Sequence, residues 1–231
     1  MAKDINLNVK EMETAGVHFG HKISKLHPKM KDYVSGIKNN VHVFDLEKTA
    51  NELQKALNFI SELISDGKAI MFVGTKIQLK SLVQSAALEC EVPYVTERWL
   101  GGTFTNFDTI KKRVDYFKEL ERKKASGELG KYTKKERLNF DREIALLKIK
   151  FDGIKNMTKL PEAVVIFGVD KDVTCVREAK RKGIKIIALC DTNINPEGID
   201  YPIPANDDAI SAVKYMVEKV KESIMNSKSE K

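Results

Sequence analysis

The stretch AVVIFGVDKDVTCVREAKRKGIKIIAL, residues 163–189, decides the fold. Ala163 to Phe167 is apolar at every position, and Ile184 to Leu189 is broken only by Lys185. A strand with one solvated face alternates, whereas one without alternation is covered on both sides, as in a parallel sheet between two helical layers. The polar segment between the runs reads as a helix that continues to Lys182 and is stopped by Gly183. Strand, helix and strand in so short a span form the crossover unit of such a sheet.

The same grammar recurs on both sides. AIMFV (69–73) precedes a helix carrying Ile77, Leu82, Val83, Ala86 and Ala87, then a short strand around Tyr94 and Val95. Earlier, VHVF (41–44) alternates like a strand. Asp45 then caps a helix whose Leu46, Ala50, Leu53, Leu57, Ile60 and Ile64 recur at three and four, with Gly67 ending it. After PIP (202–204), Asn206 caps a last helix with Ile210, Val213, Val217, Val220 and Ile224 on one face. The pattern predicts a doubly wound parallel α/β domain over 41–107 and 156–225, followed by a polar, disordered tail at 226–231.

Two segments depart from it. Residues 1–40 form a first unit, in which Asn8 and Glu11 cap a short helix closed by Gly16. The irregular, basic arm that follows has five lysines against one aspartate between Gly16 and Asn40. Residues 108–155 interrupt the sheet. Ile110, Val114 and Phe117, then Phe140, Ile144, Leu147, Phe151 and Ile154, repeat at three and four in a narrow, heptad-like seam, and Thr133 with Glu136 makes a capping box. So narrow a seam predicts two helices that bury only each other, an inserted antiparallel coiled-coil hairpin projecting roughly 30 Å from the domain. This insert carries 15 Lys and Arg against nine Asp and Glu, +6 of the chain's net +7. Positive charge concentrated on an arm and a protrusion, over a scaffold close to neutral, points to a polyanionic partner.

Composition excludes several classes. At 231 residues and 42% hydrophobic content the chain is long enough for one sizeable core. Cys90, Cys175 and Cys190 are odd in number, widely spaced and without CxxC, so neither a disulfide framework nor a zinc ribbon is expected, and a reducing cytosol fits. No apolar run follows Met1 and none approaches a membrane span, so neither export nor insertion in a membrane is expected.

Candidate reaction centres are incomplete. Gly74, Thr75 and Lys76 after a strand look like a stripped phosphate loop, but neither GxxxxGK[ST] nor GxGxxG occurs, and Gly74 is accounted for as a strand-to-helix turn. His18 and His21, with Asp191 and Asp207 or Asp208 at strand ends, supply metal-ligand residue types, and His18, Asp191 and Asp207 form the candidate site for a single divalent ion. Acids in the first turn of a helix also answer its dipole without a metal. Cys190 lacks a nucleophile elbow and reads as a small core residue. In ERWLGGTFTNFDTI, Arg98 suits a phosphate contact and Trp99 packing at a glycine-bent loop.

At these residues a resemblance becomes specific. AGVHFGH (15–21) with HPKM (27–30), RWLGGTFTN (98–106) and GIDYPIPANDDAI (198–210) are similar to signature segments of the small-subunit ribosomal protein two family. VGTK (73–76) and LPEAVVIFGVD (160–170) fit it in the same order. The resemblance implies a flavodoxin-like, Rossmann-like domain with a two-helix protrusion, of the bacterial or organellar type, since archaeal and eukaryotic relatives lack the long hairpin. It further implies a non-catalytic, cytoplasmic, ribosome-bound protein between the head and body of the small subunit. Its partners would be small-subunit ribosomal RNA and neighbouring ribosomal proteins, including ribosomal protein one, with no membrane, small-molecule substrate or cofactor beyond the candidate ion. The Thr103-Phe104 pair and the short, mixed tail depart from the family's common pattern. On this reading Lys22, Lys25, Lys29 and Lys31 on the arm, Arg98 at the loop, and Lys111, Lys112, Arg113, Lys123, Lys124, Lys134, Lys135 and Arg137 on the insert contact phosphates. The alternative is an α/β enzyme, or a regulatory binder, with a metal or nucleotide in the strand-end crevice near Gly74, Asp191 and Asp207.

Overall fold

The computed structural model of the chain describes residues 7–229; positions 1–6 of the first unit and 230–231 of the tail lie outside it. Helix α1 spans Val9–Ala15, with the Asn8 side chain accepting from the Lys10 N–H and Gly16 closing it at φ 76°. The expected irregular arm is in fact folded. Strands β1 (Phe19–Lys22), β2 (Val34–Lys38) and β3 (Val41–Phe44) make a three-stranded antiparallel sheet in the order β1-β3-β2. Asn39 and Asn40, both at positive φ (51° and 64°), form the two-residue turn from β2 to β3. Asparagine tolerates that conformation, and it matches the twist of a tight hairpin. VHVF is therefore a strand as expected, but of this small sheet.

Helix α2 (Leu46–Ser65) starts at Asp45, whose carboxylate accepts from the N–H groups of Glu47 and Lys48. The main sheet follows: β4 (Ile70–Val73), α3 (Lys80–Glu89), β5 (Tyr94–Val95), the inserted helices α4 (Phe107–Ala125) and α5 (Lys134–Phe151), β6 (Ala163–Ile166), α6 (Val173–Lys182), β7 (Lys185–Cys190), β8 (Tyr201–Pro204) and α7 (Ile210–Ser229). Its five strands are all parallel, in the order β5-β4-β6-β7-β8. Counted along the chain that order is 2-1-3-4-5, the flavodoxin-like arrangement, whose switch point lies between β4 and β6.

Residues alternate between the two faces of this sheet. Phe72, Val165, Phe167, Ile187, Leu189 and Ile203 pack with α1, α2, α3 and α7. Met71, Val73, Val164, Ile166, Ile186 and Ala188 pack with α6 and the inserted helices. The α4 and α5 seam was expected to bury only itself. Instead Val114, Phe117, Leu120, Ile144, Leu147 and Phe151 are continuous with the core of that second face. Bonds also run between the two helices, from Tyr116 Oη to Glu143 at 3.1 Å and from Lys124 to Asp141 at 2.7 Å. The Thr133–Glu136 capping box starts α5 as expected.

Helix α7 runs through residues 226–229, which the polar sequence suggested were disordered. Ser223 donates to the Leu57 carbonyl at 3.0 Å, Ser227 meets Ser61 at 2.8 Å, and Lys228 donates to the Cys90 carbonyl at 2.8 Å. Small hydroxyl side chains let α7 lie close against α2, a contact invisible to hydropathy.

Gly153, after α5, is where the insert returns to the sheet edge. A Cβ there would stand 2.2 Å from the Tyr94 carbonyl oxygen and 2.7 Å from its ring. Because a backbone atom is the obstacle, Gly153→Ala is expected to cost about 1–3 kcal/mol. A melting temperature equal to that of the parent protein would show that the junction yields freely.

Candidate functional site

Three groups of residues matter: the loop after β5, the surface cations, and the strand ends at the switch point.

The loop is organised by Glu178, a residue of α6 that is 6% exposed. Its carboxylate accepts from Trp99 Nε1 at 3.2 Å, from the N–H groups of Gly102 (2.7 Å), Phe104 (2.9 Å) and Thr105 (3.1 Å), and from the Thr105 hydroxyl (3.2 Å). Burial pushes this carboxyl up, but the donors outweigh it and hold it below its ordinary range. Trp99 is buried with its ring against Phe104 at 4.7 Å, so it packs. Arg98, next to it, is exposed and lines a cleft of about 260 Å³ with Lys148 and Lys150. Trp99 packs as expected and Arg98 is left exposed beside it; Glu178, which fixes the loop, was not singled out from the sequence.

The expected phosphate contacts are at the surface. Lys22, Lys25, Lys29, Lys31, Arg98, Lys111, Lys112, Arg113, Lys124, Lys134, Lys135 and Arg137 are exposed, and Lys123 is half-buried. Among the described residues Lys29 pairs with Glu197, Lys123 with Glu119 at 3.4 Å, and Lys124 with Asp141. The other ten make no ion pair. Lys22 and Lys25 border an open cleft of about 630 Å³.

The strand ends hold a buried charge network. Lys76, 6% exposed, stands 2.8 Å from Asp207 Oδ1, 2.8 Å from Asp208 Oδ1 and 3.4 Å from Asp170. Burial pushes this ammonium down, yet Asp207, Asp208 and Asp170 together raise it above its ordinary value. Asp207 is pushed up to about 7, first by burial and then by Asp191 and Asp170, against the pull of Lys76. Thr75 donates through its N–H (3.3 Å) and hydroxyl (3.0 Å) to Asp172, which burial raises to about 6. A phosphate loop would need that N–H free and the lysine facing outward, so the GTK segment is a strand-end lock. A Cβ on Gly74 would meet Val83 at 2.9 Å, which makes that glycine a packing requirement. Cys190 is fully buried, its thiol driven well up by burial and then by Asp207 and Asp191, the reverse of what a nucleophile needs.

The candidate ion site changes membership. His21, Asp191 and Asp208 converge, whereas the expected set was His18, Asp191 and Asp207. His18 lies in the turn before β1 and His21 within the strand, and only His21 is set against Asp191. The His18 ring lies against Phe19 at 4.0 Å, and burial lowers its pKa. Asp207 is taken by Lys76. Both Asp207 and Asp208 precede α7 rather than occupying its first turn, with Asn206 accepting from the N–H groups of Asp208 and Ala209.

The model of the family described as "Ribosomal protein S2" matches residues 12–227. The chain belongs to the ribosomal protein S2 family. It is 40% identical over 222 residues to the small ribosomal subunit protein uS2 of Dehalococcoides mccartyi, covering 96% of this chain and 91% of that one. It is 42% identical over 219 residues to the protein of the same name from Francisella tularensis subsp. novicida, covering 95% and 92%. The ribosomal protein S2 family is structural and non-enzymatic, in keeping with the locked strand ends.

Glu178→Gln replaces an acceptor of five donors by a group that presents its own N–H to them. The expected loss is about 3 kcal/mol, read by denaturant unfolding. Because the native carboxyl lies below the ordinary glutamate value of about 4.3, its contribution is full above that pH and lost as pH falls through the native value. The Gln variant should therefore lack part of the acid limb of the stability profile; an identical limb would mean that the carboxylate is not the loop's anchor.

Proposed function

We propose that this chain is a structural constituent of the small ribosomal subunit that holds small-subunit ribosomal RNA by phosphate contacts. The observation that carries the reading is that ten of the thirteen expected contact residues are exposed cations without an acid partner among the described residues, while the body's own lysines are largely paired. An unpaired surface lysine or arginine keeps its full charge for an incoming phosphate and releases that phosphate's counterion on contact. Such contacts fix position without reading base sequence, so specificity comes from RNA shape.

On this proposal Lys22, Lys25, Lys29 and Lys31 serve from the amino-terminal unit. Arg98 serves from the Glu178-anchored loop, and Lys111, Lys112, Arg113, Lys123, Lys124, Lys134, Lys135 and Arg137 from the two inserted helices, which project toward RNA as a hairpin. Kinship with the family supports a cytoplasmic, ribosome-bound protein that helps neighbouring ribosomal proteins dock, ribosomal protein one among them.

Two measurements test this reading. The full chain is expected to co-sediment with small subunits in a sucrose gradient; a chain that stays at the top refutes the proposal. Replacing Lys111, Lys112 and Arg113 by Glu is expected to weaken RNA association and to flatten the slope of log affinity against log salt by about 0.7–0.9 per lost contact, roughly 2–3 in all. An unchanged slope would show that this face is only solvated.

A further inference from the structure

We propose that His21 and Asp208 hold a single divalent transition-metal ion of the Zn²⁺ class, with Asp191 orienting the histidine. His21 Nδ1 stands 3.0 Å from Asp191 Oδ1, and Nε2 stands 3.5 Å from Asp208 Oδ2. One donor atom from each of the three lies within 4.8 Å of the others. Two ligands each about 2.0–2.1 Å from a tetrahedral ion are roughly 3.4 Å apart, so the Nε2 to Oδ2 separation needs little adjustment. Asp191 is 1% exposed and is itself fixed by the Thr192 N–H (2.5 Å) and hydroxyl (3.1 Å). A held carboxylate that takes the Nδ1–H of a histidine sets the tautomer and leaves Nε2 free as a ligand. The histidine backbone is pinned as well, its N–H donating to Thr192 Oγ1 at 2.9 Å.

Asp207 is 1% exposed and is held by the Lys76 ammonium, 2.8 Å from its Oδ1. The same ammonium stands 2.8 Å from Asp208 Oδ1, which leaves Asp208 Oδ2 as the oxygen that faces His21. A divalent ion between His21 Nε2 and Asp208 Oδ2 would place positive charge where Asp191 and Asp208 flank the imidazole. An imidazole ligand selects Zn²⁺-like ions over Mg²⁺ and Ca²⁺, which prefer oxygen donors. The open cleft beside His21 and Asp208 gives the ion entry and room for water.

The test uses the full chain stripped with a chelator and titrated calorimetrically with Zn²⁺ and, separately, Mg²⁺, with bound metal counted by elemental analysis. One Zn²⁺ per chain is expected. Binding should be at least about tenfold weaker in Asp208→Asn, whose side chain is 55% exposed, and about tenfold to a hundredfold weaker in Asp191→Asn. His18→Asn should bind as the parent does. Co²⁺ in place of Zn²⁺ should give visible absorption that disappears in His21→Gln, with circular dichroism reporting the fold of each variant. The absence of stoichiometric Zn²⁺, binding that survives the loss of His21 or Asp208, or equal affinity for Mg²⁺ would each overturn the assignment.

Discussion

One buried ammonium organises the functional end of this molecule. Lys76 leaves the end of β4, crosses the switch point and meets acids that follow β6 (Asp170) and precede α7 (Asp207 and Asp208). An uncompensated charge at that depth costs several kcal/mol, so each partner must be in place for the others to be tolerated. The consequence is geometric: the ends of β4 and β6 and the start of α7 are fixed to one another at the place where doubly wound domains usually keep a ligand crevice. Through Asp208 the network reaches His21, and through Asp191 and Thr192 it reaches the carboxyl end of β7. The small antiparallel sheet is thereby tied to the body. Gly20 makes the approach possible, since a Cβ there would meet the Thr192 side chain at 2.5 Å.

The same arrangement explains why an enzyme-like fold carries no enzyme. A nucleotide would bring phosphates to a crevice already lined by carboxylates, and the Thr75 N–H that could greet it is committed to Asp172. What remains available is the outside of the molecule, where charge is displayed rather than neutralised.

The sheet was legible because burial on both faces removes alternation, and that signal depends on the strands alone, as in Ala163 to Phe167. The capped helices were legible for the same local reason, at Asp45 and at Thr133 with Glu136. What the chain concealed depends on distant partners. The sequence Asn39-Asn40 was a readable turn signal, yet without its antiparallel neighbours the segment looked irregular. Ser227 looked like part of a polar tail until α2 stood beside it. His18 and His21 were equivalent as residue types, and only their places in the fold, His18 in the turn before β1 and His21 within it, select the one that faces Asp191. Glu178 had no local mark at all, because its five donors come from a loop more than 70 positions away.

The inserted helices show how function overrides local preference. Acids at the helix start and bases at its end answer the dipole, and α4 follows the rule at its end with Arg122, Lys123 and Lys124. Those three are neutralised by Glu119, Glu128 and Asp141. The opposite occurs where the rule is broken. Lys134 and Lys135 open α5 without an acid partner among the described residues, whereas α4 carries Asp108 in its first turn and its unpaired Lys111, Lys112 and Arg113 only in its second. Cations at a helix start cost about 0.3–1 kcal/mol each, and the capping box at Thr133 offsets part of that. Charges kept at a local disadvantage and left unpaired are explained by a partner outside the chain; the paired ones nearby are explained by the chain itself. Arg122 is bound to two glutamates, whereas Arg113 pairs with no acid among the described residues, which separates charge held by the chain from charge left open to the RNA of the proposed function.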